Sequence, residues 1–184
     1  MTWLDQRPDD AFEGAFEAVP PVPVKAVDQQ PFREAMSRYG AAVHVVTTDG
    51  PAGKTGFTAT AVCSVSDDPP TLLVCLNRRS QGGPLVAANG VFCVNTLGAD
   101  AQAISDVFAG RTGAKLAERF NVGEWATLTT GSPVLASALV ACDCRIVEIK
   151  AVASHNVIFA VVEAISLGTA GPALVYHART YKTV

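Results

Sequence analysis

Charge is scarce in this sequence. Asp, Glu, Lys and Arg make up 17% of its 184 residues, and 17 acidic residues outnumber 14 basic ones, for a net charge of -3. Without a basic run, binding along nucleic-acid phosphates finds no support. The chain is nevertheless 49% hydrophobic, too apolar for a disordered segment. It has no stretch of about 18 uncharged apolar residues, so a membrane span is not expected. Its N-terminus has no basic-then-apolar order of a signal peptide and carries Asp5, Asp9, Asp10 and Glu13 instead.

Several catalytic signatures are missing too. No G-x-G-x-x-G follows a strand, which removes the usual dinucleotide fingerprint. No G-x-S-x-G elbow is present. Gly53-Lys54-Thr55 resembles the end of a phosphate loop, but Thr48 stands where the first glycine belongs and a β-run follows instead of a helix. A hairpin turn is the better reading. His44, His155 and His177 are scattered, none near another ligand at zinc spacing. The five cysteines are an odd number, and Cys142 and Cys144 lie two apart on one face of a strand. That suits neither zinc nor a redox CxxC, so buried free thiols in a reducing cytoplasm are expected.

What is present points to one domain rich in strands. Residues 1–27 read as a tail containing Pro20-Pro21-Val22-Pro23, and residues 28–184 as the folded domain. Asp28 is a good helix N-cap with Pro31 in the first turn; Phe32, Ala35, Met36 and Tyr39 follow at helical spacing and Gly40 ends the helix. Strands are expected at Ala41–Thr48, Phe57–Ser66, Thr71–Asn77, Val91–Leu97, Leu139–Lys150, Val157–Leu167 and Leu174–His177. Short helices are expected at Asp100–Ala109 and Ala114–Phe120. Without strict βαβ alternation, the pattern argues for a mainly β, antiparallel barrel. The mean hydropathy of +0.26 suggests apolar surface hidden in a subunit interface.

The informative stretch runs from Thr58 to Pro70. Thr58-Ala59-Thr60-Ala61-Val62-Cys63-Ser64 is rich in small and hydroxyl-bearing residues. Small side chains let a flat ligand lie against the backbone, while hydroxyls and peptide groups meet its polar edge. From composition alone, a strand packed closely under a helix fits equally well.

This segment, with several others in one order, resembles the short-chain flavin reductase family, the reductase components of two-component flavin monooxygenases. Phe32–Ser37 and Ala42–Thr48 carry the likeness, as do Pro69–Asn77, Ser80 with Pro84, Gly90–Leu97, Phe108-Ala109-Gly110, Glu118-Arg119-Phe120, Gly131–Leu135 and Asp143-Cys144-Arg145. It covers residues 28–184. The resemblance implies an FMN-binding split β-barrel, Greek-key-like, whose homodimer builds two flavin sites at its interface. It implies hydride transfer from NADH or NADPH to FMN or FAD, with the reduced flavin passed to a partner monooxygenase.

By the same resemblance, Thr58, Ala59, Thr60 and Ala61 line the isoalloxazine with Cys63 and Ser64 beside it. Asn77 and Ser80 hold the ribityl and phosphate end, and Asn95 closes the pocket. Arg79 and Arg111 are candidate phosphate partners, since a guanidinium pairs well with phosphate oxygens; a solvated surface charge is the competing reading of each. The nicotinamide side is assigned to His155, Tyr176 and Arg179, the last two within an intact Tyr-x-x-Arg-x-Tyr pattern. The family shows Gly-Asp-His or Gly-Thr-His before its penultimate long strand. Here Ala153-Ser154-His155 keeps the histidine but not the glycine. Two other functions fit the same fold: a flavin-delivery module without turnover, and a flavin relay to another acceptor such as a cobalt corrinoid.

Overall fold

The computed structural model describes residues 25–184, so the expected tail lies, up to residue 24, outside the described residues. Among the described residues the first element is α1 (Gln29–Ser37). Asp28 occupies its N-cap, but its side chain makes no capping bond, and no residue of α1 is buried. The apolar residues Phe32, Met36 and Tyr39 are therefore left exposed.

Strands follow. β1 (Ala41–Ala42) and β2 (His44–Thr48) divide at Val43, and β3 (Thr55–Ala59) pairs with β2 across the Asp49–Gly53 turn. The expected single strand Phe57–Ser66 is a correction: it breaks at Thr60-Ala61, and its second half is β4 (Val62–Asp67). Then come β5 (Pro70–Asn77), α2 (Gly83–Asn89) and β6 (Val91–Thr96). A 3-10 turn (Ala99–Ala101) leads into α3 (Gln102–Phe108), and another covers Glu118–Asn121. That last turn replaces the expected helix Ala114–Phe120, since a segment this short following Gly110 and Gly113 does not recover the cost of helix nucleation. β7 (Trp125–Thr127) and β8 (Pro133–Leu135) form a small hairpin. The long pair β9 (Val140–Val152) and β10 (His155–Leu167) follows, then β11 (Leu174–His177) and β12 (Thr180–Thr183).

Seven strands form one antiparallel sheet in the order β3-β2-β6-β9-β10-β5-β4. β3 and β4 are neighbours in sequence yet occupy its opposite edges. Two residues cannot span a flat seven-stranded sheet, at about 4.8 Å per strand, so the sheet must curl until its edges meet. The architecture is thus a split β-barrel, closed everywhere except along this seam. Register shifts in the β9–β10 ladder at Phe159/Ala160 and Val162/Ala164 help bend the long strands.

The alternation of β5 sends Leu72, Val74 and Leu76 into the barrel, where they meet Val46, Phe92, Val94, Cys144, Ile158 and Ala160. Val86 of α2 packs into this same core. A second core lies outside the barrel wall, between α3 and the small sheet β1-β11-β12. There Phe108, Phe120 and Trp125 stack mutually at 5.0–5.5 Å between ring centroids.

Candidate functional site

A cleft of about 390 Å³ opens at the seam. One wall is the end of β3 and the corner after it, Thr58, Ala59, Thr60 and Ala61; the other is the end of β5 with Asn77 and Ser80. His155, the first residue of β10, stands beside Asn77 as its register partner. The seam therefore gathers seven of the residues singled out from sequence. Its lower wall is Phe108, which approaches the strand closely because residue 56 is glycine: a Cβ there would lie 2.6 Å from the Phe108 ring.

Arg119, which also lines the cleft, was quoted above only as part of Glu118-Arg119-Phe120. Its guanidinium donates to the carbonyl oxygens of Gly56 (2.9 Å), Ala114 (3.3 Å) and Phe108 (3.4 Å). It thereby ties the segment before β7 to the floor of the cleft. Cys75, Leu76, Phe57 and Ala109 complete the lining. The signal for Phe57, Cys75 and Leu76 lay in their neighbours: they adjoin residues singled out in the same strands, whereas Ala109 follows α3.

The turn before β10 explains how alanine replaces the family's glycine. Ala153 takes the left-handed conformation, with φ of 48°. An L-residue there costs on the order of 1 kcal/mol, so the surrounding contacts must hold it. Arg78 supplies them, donating its N–H to the Ser154 carbonyl (3.0 Å) and its guanidinium to the Ala153 carbonyl (3.4 Å).

A second cleft of about 280 Å³ shares Thr58, Ala59, Thr60 and Ala109 with the first and is completed by Val43, Arg111, Tyr176 and Tyr181. The two tyrosine rings meet edge to face at 5.3 Å. Arg111 lies over the Tyr181 ring at 5.4 Å and pairs with Asp106 at 2.7 Å. Tyr181 Oη lies 2.8 Å from Ser105 Oγ and donates to Asp106 Oδ1 (3.1 Å); burial pushes this phenol up from its ordinary pKa. Thr58 Oγ1 in turn donates to the Ser105 carbonyl at 2.7 Å. Ser105 thus links the site strand to the C-terminal hairpin.

Four of the remaining candidates lie away from both clefts, and a fifth contributes only backbone. Asn95 is fully buried on the outer face of β6: its Nδ2 donates to the Val45 carbonyl (3.0 Å) and its Oδ1 accepts the Leu135 N–H (2.7 Å). It is a strut between β2 and β8 and closes no pocket. Cys63 and Ser64 are exposed on the edge strand β4, past the corner. Arg179 sits at the tip of the β11–β12 hairpin, bonded to Glu34. Arg79 is exposed at the loop, where its N–H donates to Asn77 Oδ1 (2.9 Å).

The first cleft has the size and lining for a flat ligand with a polar edge. Its volume lies in the range of small-molecule sites, and its walls combine small side chains with a few polar groups. Asn77 spends Oδ1 on the loop and leaves its amide nitrogen for a ligand. Below the loop, the buried Thr55 hydroxyl has no hydrogen-bond partner, and a Cβ on Gly82 would come within 2.9 Å of it. The loop is thus packed as closely as glycine allows over an unspent polar atom.

The sequence model of the Flavin reductase like domain matches residues 36–184. A protein of Ancylobacter novellus named FMN reductase (NADH) RutF is 52% identical over 159 residues, spanning 86% of this chain and 87% of its own. Among solved structures, one from Haemophilus somnus, described as a candidate flavin reductase, is 45% identical with a TM-score of 0.82, covering 86% of this chain and 100% of that one. The flavin reductase component BorF of a bacterial two-component tryptophan halogenase is 27% identical, with a TM-score of 0.79 over 85% of this chain and 98% of its own.

Proposed function

This chain belongs to the flavin reductase like domain family, and we propose that it passes hydride from NADH to FMN and releases reduced flavin to a second enzyme. The observation that carries the reading is the convergence of Thr58–Ala61, Asn77, Ser80 and His155 on one cleft. The match to proteins named FMN reductase (NADH) supports FMN over FAD and NADH over NADPH.

When bound, the nicotinamide and flavin rings would supply the hydride chemistry themselves. The protein's part is positioning. The small residues Thr58–Ala61 accept a flat ring against their backbone, and Asn77 and Ser80 take the polar chain and phosphate. His155, at the mouth beside Asn77, orients the nicotinamide. Arg111, Tyr176 and Tyr181 in the adjoining cleft offer a charged and aromatic surface to the rest of the dinucleotide. No side chain acts as an obligatory acid or base.

Three further readings are ours. The chain works as a homodimer, supported by the large apolar residues it leaves exposed on α1, β9 and β10, among them Phe32, Val147, Ile149, Ile165 and Leu167. Its reduced flavin goes to a flavin-dependent monooxygenase; delivery to a separate enzyme is supported by BorF, the reductase component of a two-component halogenase. It works in the cytoplasm, supported by five free cysteines. No helix among the described residues is long and apolar enough to cross a membrane.

NADH oxidation should be undetectable without added flavin and should saturate with FMN. Failure of both nucleotides with both FMN and FAD overturns the reductase reading. Flavin that binds but is not bleached by NADH without oxygen would mark a delivery module instead.

A further inference from the structure

Ser154 Oγ lies 2.9 Å from His155 Nδ1. One ring nitrogen of His155 is therefore engaged by its own turn, and Nε2 is the nitrogen left for a ligand in the cleft that His155 lines. The turn is fixed at every position. Ala153 is held at φ of 48°, the Ser154 carbonyl accepts the Arg78 N–H at 3.0 Å, and His155 is in register with Asn77. Serine, histidine and the Asn77–Ser80 loop form one piece.

A neutral imidazole has one N–H donor and one acceptor, and the bond at one nitrogen sets the role of the other. A serine hydroxyl can serve either way, so the ligand decides which arrangement is useful. The nicotinamide carboxamide oxygen and the phosphate oxygens are acceptors. An unprotonated Nε2 would meet them lone pair to lone pair, whereas an Nε2–H would bond to them.

We propose that Ser154 is a positioning residue whose hydroxyl donates to Nδ1, holds His155 as the Nε2–H tautomer and so makes it a hydrogen-bond donor to an oxygen of the nicotinamide nucleotide. This rests on the reading that the cleft admits that nucleotide. Ser154 touches neither substrate; it acts through the ring it orients. Removing the hydroxyl, as in Ser154→Ala, leaves the backbone bond to Arg78 intact and frees the ring to rotate and to change tautomer.

The test uses the full-length protein labelled with ¹⁵N-histidine and saturated with FMN, with His155 assigned by difference from His155→Gln. The wild type should show Nδ1 as an acceptor and Nε2 protonated, and Ser154→Ala should show a mixture. In steady state, Ser154→Ala should raise the NADH KM about three- to tenfold, the worth of one oriented hydrogen bond. FMN affinity should be unchanged, which reports an intact cleft, and Ser154→Thr should restore the KM. A wild-type ring protonated at Nδ1 overturns the proposal. So does a Ser154→Ala enzyme with wild-type kinetics while His155→Ala is impaired. If His155→Ala itself leaves NADH kinetics unchanged, the underlying reading of the cleft fails instead.

Discussion

Arg179 Nη2 sits 2.8 Å from Glu34 Oε2, so the last hairpin of the chain is clipped to its first helix. Beside this pair the Ala178 N–H donates to the Ser37 carbonyl at 2.7 Å. The two turn residues Ala178 and Arg179 both have positive φ, 49° and 62°, as the tight hairpin requires. Non-glycine residues in that turn carry strain that the contacts to α1 offset. Arg179, which the family resemblance assigns to the nicotinamide side, is engaged here in an intramolecular clasp.

Arg179→Ala should leave the NADH KM within about twofold and accelerate amide exchange in α1. Both side chains are more than half exposed, so the pair is worth at most about 1 kcal/mol. A tenfold rise in KM would return Arg179 to the nucleotide site.

Gly56→Ala should destabilise the protein by about 1–3 kcal/mol and weaken flavin binding in step. Its Cβ would meet the Phe108 ring at 2.6 Å and the Val46 carbonyl at 3.1 Å. The ring must then move, and with it the floor of the cleft. Denaturant melts and flavin titration of the same sample check both effects.

Ala153→Gly should stabilise the fold by about 0.5–1 kcal/mol, the relief of left-handed strain less the added chain entropy. A thermal melt checks it. No gain would mean that the turn contacts already remove the strain.

His44 gives stability a pH dependence. Burial lowers its pKa from 6.5 to about 4, while its Nδ1 meets Thr96 Oγ1 at 3.0 Å. Between those values the unfolded chain binds the proton and the folded one does not, so stability falls as pH drops from 6.5 towards 4. The full loss is on the order of 3 kcal/mol. His44→Gln should flatten that part of the curve relative to wild type, while the carboxylates titrate alike in both.

Thiol labelling separates the cysteines. Cys63, exposed on β4, should react first and regardless of flavin. Cys75 lines the cleft and should be protected by FMN. Cys93 and Cys144 are buried, and desolvation and the nearby Asp143 carboxylate push both thiols up, so they should react only on unfolding. Rapid loss of Cys75 with FMN bound would place the flavin elsewhere.

Much of the site was legible because it is written in continuous stretches. Thr58–Ala61 stood out by its small and hydroxyl-bearing residues, and Asn77, Ser80 and His155 by likeness to a family. Asn95 was assigned to the pocket by the same likeness, yet the two-residue period of β6 turns it away from Phe92 and Val94, which face the barrel interior. Cys63 and Ser64, placed beside the flavin by that likeness, lie on β4 past the corner at Thr60-Ala61, which a run of similar residues does not signal. α2 was missed because Gly82-Gly83-Pro84 reads as a loop, although Pro84 falls in its first turn and Gly90 caps its end at φ of 68°. Arg119 works on backbone carbonyls distant in sequence, which no local pattern records.

With flavin in the proposed cleft, the corner at Thr60-Ala61 would tie stability to occupancy. A barrel sealed by a full ladder along this line would be firmer but would have no slot, since the strand pairing would fill the space a ring needs. The open line leaves room there for a bound ring. A flavin present at a hundred times its Kd adds about 2.7 kcal/mol to the folded state through mass action alone. A cell short of flavin would then hold less of this enzyme in folded form, and its abundance would follow the supply of the molecule it reduces.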